Sequence, residues 1–157
     1  MIGLLQRVSR ASVTVAGSVI ATIGPGILVF IGIEKTDTHS QAERLIERLL
    51  SYRLFSDQHG KMNLSVSDIA GGLLLVPQFT LVADTQKGTR PSFSSAAPPR
   101  LALELFQYCV VHAQQRYANI ASGQFAADMQ VELVNEGPVT FWLQANEPNN
   151  GDVQQQN

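Results

Sequence analysis

Apolar positions recur along this chain with two different periods. Ile2 to Val8 and Ala11 to Val15 are short alternating runs rich in β-branched residues, and Ala16-Gly17-Ser18 separates them from a third, Val19 to Ile23; all three predict antiparallel strands. After the break at Gly24-Pro25-Gly26, Ile27 to Ile33 is almost wholly apolar, which predicts a central strand covered on both faces. Leu73 to Val76 is a second continuous run, too short for a helix, and Pro77 removes a ladder donor and ends it. Helical spacing appears at Ala42, Leu45, Ile46, Leu49 and Leu50, with Glu43, Arg44, Glu47 and Arg48 opposite and Asp37 or Thr38 as the cap. It returns at Leu101, Leu105, Cys109 and His112, after a Pro98-Pro99 start. Phe55 to Val66 and Ala118 to Gln124 read as loops. Met129 to Val134 and Val139 to Leu143 read as a hairpin around Asn135-Glu136-Gly137-Pro138, where the X-Pro bond is a candidate for the cis form.

Composition narrows the class. At 157 residues, 45% hydrophobic and 15% charged, the chain predicts one globular domain over 1–145 and, from the Asn, Gln, Glu, Gly and Pro that fill 146–157, a disordered polar tail. Met1 to Leu5 is too short an apolar run for a signal peptide or a span, and the single Cys109 excludes an internal disulfide; the expectation is a cytoplasmic protein with no membrane partner. A net charge of -2 argues against nucleic acid, but all 11 Lys and Arg lie between Arg7 and Arg116 against eight acids, while 117–157 hold five acids and no base. A local basic face remains open.

The candidate chemistry sits where the Leu73 to Val76 strand stops. Gln78, Phe79 and Thr80 place an amide, an aromatic ring and a hydroxyl at the end of a rigid element, with Pro77 beside them. The plain alternative is a strand bent by proline, with Thr80 running on into a second strand segment. The Gly-, Ser-, Pro- and Thr-rich stretch from Thr85 to Pro99 carries Lys87 and Arg90 and suits phosphates. Cys109 and His112, three apart, suggest a metal pair or a nucleophile and base, but one cysteine and three scattered histidines make no zinc spacing, so both are read as core. There is no nucleophile elbow, P-loop, dinucleotide fingerprint or HExxH, which argues against a cofactor.

Four segments, MIGLLQRVSRASVTV, FSDQHGKMNLSV, PQFTLVADTQKGTRPSF and FAADMQVELVNEGPVTFWLQ, together resemble the bacterial D-aminoacyl-tRNA deacylases over residues 1–144. The family's Ser-Gln-Phe-Thr stands here as Pro77-Gln78-Phe79-Thr80, and its Asn-x-Gly-Pro-Val-Thr is intact from Asn135 to Thr140. The resemblance implies an α/β fold, a three-layer α/β/β single domain with mixed and antiparallel sheets and two main helices, assembled as a homodimer. It implies no metal or cofactor, and aminoacyl-tRNA rather than DNA as partner. The implied reaction is hydrolysis of the ester joining a D-amino acid, or glycine, to the terminal adenosine of tRNA, with the RNA's own hydroxyl carrying catalysis. By the same resemblance the Phe79 main-chain N–H faces the reacting centre and Gln78 and Thr80 line the adenosine pocket. Arg7 and Met129 lie near the Gly137-Pro138 turn, which reads chirality from the partner subunit. Pro77 departs from the family's serine, losing a hydroxyl and a backbone donor.

Three other readings compete. A non-enzymatic tRNA-binding dimer would share the fold; a sister activity clearing mischarged L-alanyl-tRNA would suit Pro77; an esterase with Thr80 as nucleophile would need a base that no nearby position supplies.

Overall fold

The computed structural model describes residues 1–146; the expected tail lies, apart from Asn146, outside the described residues. Its longest early element is β1 (Ile2–Val15), one strand of 14 residues where the sequence pattern suggested two. The continuity comes from its partner. The last strand, β8 (Met129–Gln144), runs antiparallel beside it from Ile2↔Gln144 to Val15↔Met129, and that ladder holds both Val8 and Arg10 on either side of an unpaired Ser9, where the apolar alternation lapses. The other edge of β1 is shared. Its second half pairs with β2 (Ser18–Ile23) across a tight turn whose Ala16 and Gly17 have φ of 48° and 80°, and its first half pairs with β3 (Gly26–Gly32).

Beyond β3 the sheet becomes parallel, through β6 (Gly72–Pro77) to β7 (Ile120–Ser122), three strand residues in a stretch expected to be loop. Parallel pairing needs crossovers, and these supply the two helices, α1 (His39–Ser51) and α2 (Pro99–Arg116). Thr38 caps α1 in a reciprocal box with Gln41, whereas Asp37 instead accepts from the Met1 ammonium and the Glu34 N–H. The first crossover also carries a small hairpin, β4 (Phe55–Ser56) and β5 (Met62–Leu64), in the region read as loop; Asp57 closes its turn through the His59 and Lys61 N–H groups.

The continuous apolar runs are explained by two cores. Ile27, Val29, Ile31, Leu73 and Leu75 face the helices and meet Leu45, Leu49, Leu105 and Phe106. The intervening Leu28, Leu74 and Val76 face Val8, Val13, Ala21 and Ile23, because β2 comes back against β6 and β7 and nearly closes the sheet. The result is a mixed α/β single domain with a nearly closed sheet and two helices.

The 129–143 region is not a hairpin. β8 keeps its pairing with β1 on both sides of the Gly137-Pro138 turn, and four residues from Glu136 through Val139 stand opposite Arg7 alone, between the pairs Gln6↔Thr140 and Val8↔Asn135. The turn is therefore a loop thrown out from a continuous strand, closed by Asn135, whose Oδ1 accepts from Val139 N and whose Nδ2 donates to Thr140 Oγ1.

Strand β6 owes its depth to a pair of glycines. A Cβ on Gly26 would stand 2.0 Å from the Gly72 carbonyl oxygen, and one on Gly72 would stand 2.6 Å from Ile23 Cβ. Backbone, not a flexible side chain, fills the first space. Gly26→Ala is expected to destabilise the protein by about 3 kcal/mol, read as a lower urea midpoint at unchanged slope.

Candidate active site

In β6 the backbone groups alternate between neighbours. Leu73 N donates to Asn119 O and Gly123 N to Leu75 O, so odd positions face β7; Gln78 N donates to Ile31 O, so even positions face β3. Position 77 therefore points its backbone past the end of β7, where no strand remains to accept a donor. Proline costs no ladder bond there, and its Cδ lies against Gly123.

The chain then turns abruptly. Phe79–Val82 is a 3-10 turn, not the strand of the plain alternative, and Gln78 precedes it without a side-chain cap bond. The first N–H groups of such a turn have no acceptor within it. Gln78 Nε2 instead donates to Thr80 Oγ1 at 2.5 Å, which commits the threonine hydroxyl as an acceptor from an amide. The Phe79 ring is 62% exposed.

Pro77, Gln78, Phe79 and Met129 border one cavity of about 580 Å³, walled further by Ala102 of α2 and by Phe125 and Val131. Met129 is set by its pairing with Val15 and by a contact from the Gln124 N–H to its sulfur at 3.4 Å, while Gly123 leaves the room that sulfur fills. Within one chain Met129 thus belongs to the cavity, not to the Gly137-Pro138 turn. Phe125 and Asp128, also on its wall, were not singled out by type or spacing; the only signal was that FAAD belongs to a segment resembling the family.

Arg7, Gly137 and Pro138 form a second group. The Gly137–Pro138 bond is cis and Gly137 has φ of 125°. Arg7 Nε donates to Glu136 O at 3.1 Å and its Nη1 to Leu54 O at 2.7 Å, pinning the turn from below. A Cβ on Gly137 would stand 2.8 Å from Val139 Cγ2 and 2.9 Å from Arg7 Nη2. Glu136, Gly137 and Pro138 are exposed.

Lys87 and Arg90 are exposed on the excursion that leaves at Asp84 and returns at Ser92, where the two residues exchange backbone hydrogen bonds. Cys109 is fully buried against Met1 Sδ, and burial, with the Asp37 charge adding to it, pushes its thiol up to about 12. His112 is buried too, its Nε2 without a partner among the described residues and its Nδ1 3.3 Å from Arg116 Nη1. The folded protein should therefore show no thiol reactive towards dithionitrobenzoate at about pH 8, and one after denaturation; a reactive thiol in the native state would contradict the buried assignment.

Comparison with known proteins gives one answer. The profile of the D-Tyr-tRNA(Tyr) deacylase family matches residues 4–144. A D-aminoacyl-tRNA deacylase of Nitrosococcus oceani is 62% identical over 144 residues, covering 92% of this chain and 93% of that protein, and one from Pseudomonas putida is 60% identical, covering 92% and 99%. Among solved structures, the c-Myc DNA Unwinding Element Binding Protein superposes with a TM-score of 0.89 at 39% identity, covering 93% of this chain and 99% of that one. A probable eukaryotic D-amino acid tRNA deacylase, at 15% identity, covers 90% and 97% with a TM-score of 0.81 and so shares the fold. With near-complete coverage on both sides and the Gln78-Phe79-Thr80 and Gly137-Pro138 segments inside the matched span, the chain belongs to the D-aminoacyl-tRNA deacylase family, hydrolases of the aminoacyl ester.

Proposed function

We propose that this hydrolase works in the cytoplasm as a homodimer in three-layer α/β/β form, freeing tRNA from D-amino acids and glycine and rejecting L-amino acids with backbone rather than side chains. The observation that carries this is the bare, exposed Gly137-Pro138 turn, braced by Arg7 and Asn135 yet lying outside its own chain's cavity. A criterion that must admit D-side chains of every size cannot rest on a fitted side-chain pocket. It can rest on main chain set where an L-side chain would have to go.

The cavity then holds the terminal adenosine, with Pro77, Gln78 and Met129 as walls and Thr80 as the hydroxyl that fixes the Gln78 amide. The uncapped Phe79 N–H at the start of the 3-10 turn stabilises the developing oxyanion. The ester is already activated, and the neighbouring ribose hydroxyl attacks or directs water, so the protein's share is positioning. Lys87 and Arg90 contribute a salt-sensitive hold on phosphates. The Pro77 departure is compatible with the sister L-alanyl-tRNA activity, but the cavity offers nothing that favours it.

The direct test is ester loss from D-tyrosyl-tRNA and L-tyrosyl-tRNA. Fast turnover of the D-ester alone is expected; turnover of neither would leave the non-enzymatic binding reading. Thr80→Ala should keep most activity, since removing a true nucleophile costs on the order of 10⁶-fold, and a substrate ending in 2'-deoxyadenosine should be cleaved far more slowly. Normal cleavage of the deoxy substrate by the wild-type enzyme, together with a dead Thr80→Ala enzyme, would make Thr80 the nucleophile.

Gly137→Ala places a methyl against Arg7 and Val139 at a positive φ. It should lower kcat/KM on D-tyrosyl-tRNA about 100-fold while the melting curve still shows a folded protein. Unchanged kcat/KM would remove the turn from the mechanism.

A further inference from the structure

Phe79, on the wall of the cavity, has a second partly exposed aromatic ring beside it, that of Phe93. Phe79 is 62% and Phe93 39% exposed, and their centroids lie 5.2 Å apart with ring planes inclined by 49°. They come from different segments, so the pairing is a product of the fold. The segment bearing Phe93 is firmly tied: Ala97 N donates to Ile33 O, Lys35 N to Ser95 O, and Ser95 Oγ to Val82 O at 2.7 Å. The ring is therefore presented from a fixed backbone.

From these observations we infer that the Phe79–Phe93 pair is a stacking platform for the unpaired bases that precede the terminal adenosine of the RNA. The inference rests on the reading of the cavity as an adenosine pocket and extends it outward. Adjacent aromatic rings partly left to solvent suit a flat partner, and every nucleobase offers one regardless of sequence. The charge on the neighbouring excursion has the sign a phosphate backbone needs. Lys87 and Arg90 project from the excursion that closes at Ser92, one residue before Phe93, and among the described residues neither forms an ion pair. A single strand running out of the cavity past Phe79 would meet the second ring beside it, on the segment that follows the excursion bearing Lys87 and Arg90. That order matches a chain whose sugar-phosphate backbone continues away from a bound terminal nucleoside. A second copy of this protein, whose Glu136 is exposed beside its Gly137, is the competing occupant of these rings, and the test separates the two.

The test compares three D-tyrosyl esters, of adenosine, of the trinucleotide cytidylyl-cytidylyl-adenosine and of full tRNA, together with calorimetric binding of the unacylated trinucleotide and of adenosine. Wild-type enzyme should favour the trinucleotide over adenosine in both measurements. Phe93→Ala should lower kcat/KM and affinity for the trinucleotide about tenfold, with adenosine and its ester unaffected, and Phe93→Tyr should restore the preference. A Phe93→Ala protein that keeps the full trinucleotide advantage overturns the platform. Equal losses on both substrates with a shift to monomer in sedimentation also overturn it, by assigning the rings to a second copy. Trinucleotide binding that depends on Phe93 without any ester turnover would support the platform while sinking the hydrolytic details proposed above.

Discussion

The architecture depends on the ladder between β1 and β8. Twelve Cα pairs tie Ile2–Val15 to Met129–Gln144, the two ends of the described chain, and everything between them is threaded through that ribbon. One end of the ribbon sets Met129 in the wall of the cavity. Its middle throws out the Gly137-Pro138 turn against Arg7, a β1 residue placed opposite the excursion by the same register. A change of register by one residue would send both groups to the wrong face at once.

The second constraint is the parallel seam between β3 and β6. Its close start at Gly26 and Gly72 lets Leu73 to Val76 run buried to the last residue, and the early end of β7 leaves a gap beside position 77. The cavity is that gap. A strand that stops with its neighbour already gone leads here into a turn, and the 3-10 geometry at Phe79 leaves its first N–H groups without a side-chain cap from Gln78.

Much of this was legible because burial on both faces writes itself into composition: the continuous runs Ile27 to Ile33 and Leu73 to Val76 could only be covered strands, and the Leu45–Leu49 face could only be a helix against them. The errors share a cause. β1 looked like two strands, β8 like a hairpin and Ile120–Ser122 like loop because each is held by pairing with residues far away in sequence, and Asn-x-Gly-Pro chemistry is the same in a hairpin as in an excursion from a continuous strand. Within the site, Gln78, Phe79 and Met129 were named and do meet, whereas Phe93, Phe125 and Asp128 come from loops whose local sequence gives no sign of what they face.

The separation of the two groups on one chain has its own consequence. Met129 and Asn135, where the excursion leaves the strand, are six residues apart at a rise of about 3.3 Å per residue, so the turn begins on the order of 20 Å along the ribbon from the cavity wall. No side-chain motion spans that distance, and β8 cannot fold back without surrendering its pairing with β1. If the turn acts on substrate, it acts in another copy's cavity. A two-fold arrangement then gives each chain one turn to donate and one cavity to complete, two equivalent sites from a single self-complementary interface, and it makes the chirality test inseparable from assembly. A monomer would on that arrangement retain the cavity and the Phe79 N–H while lacking a partner's turn beside them.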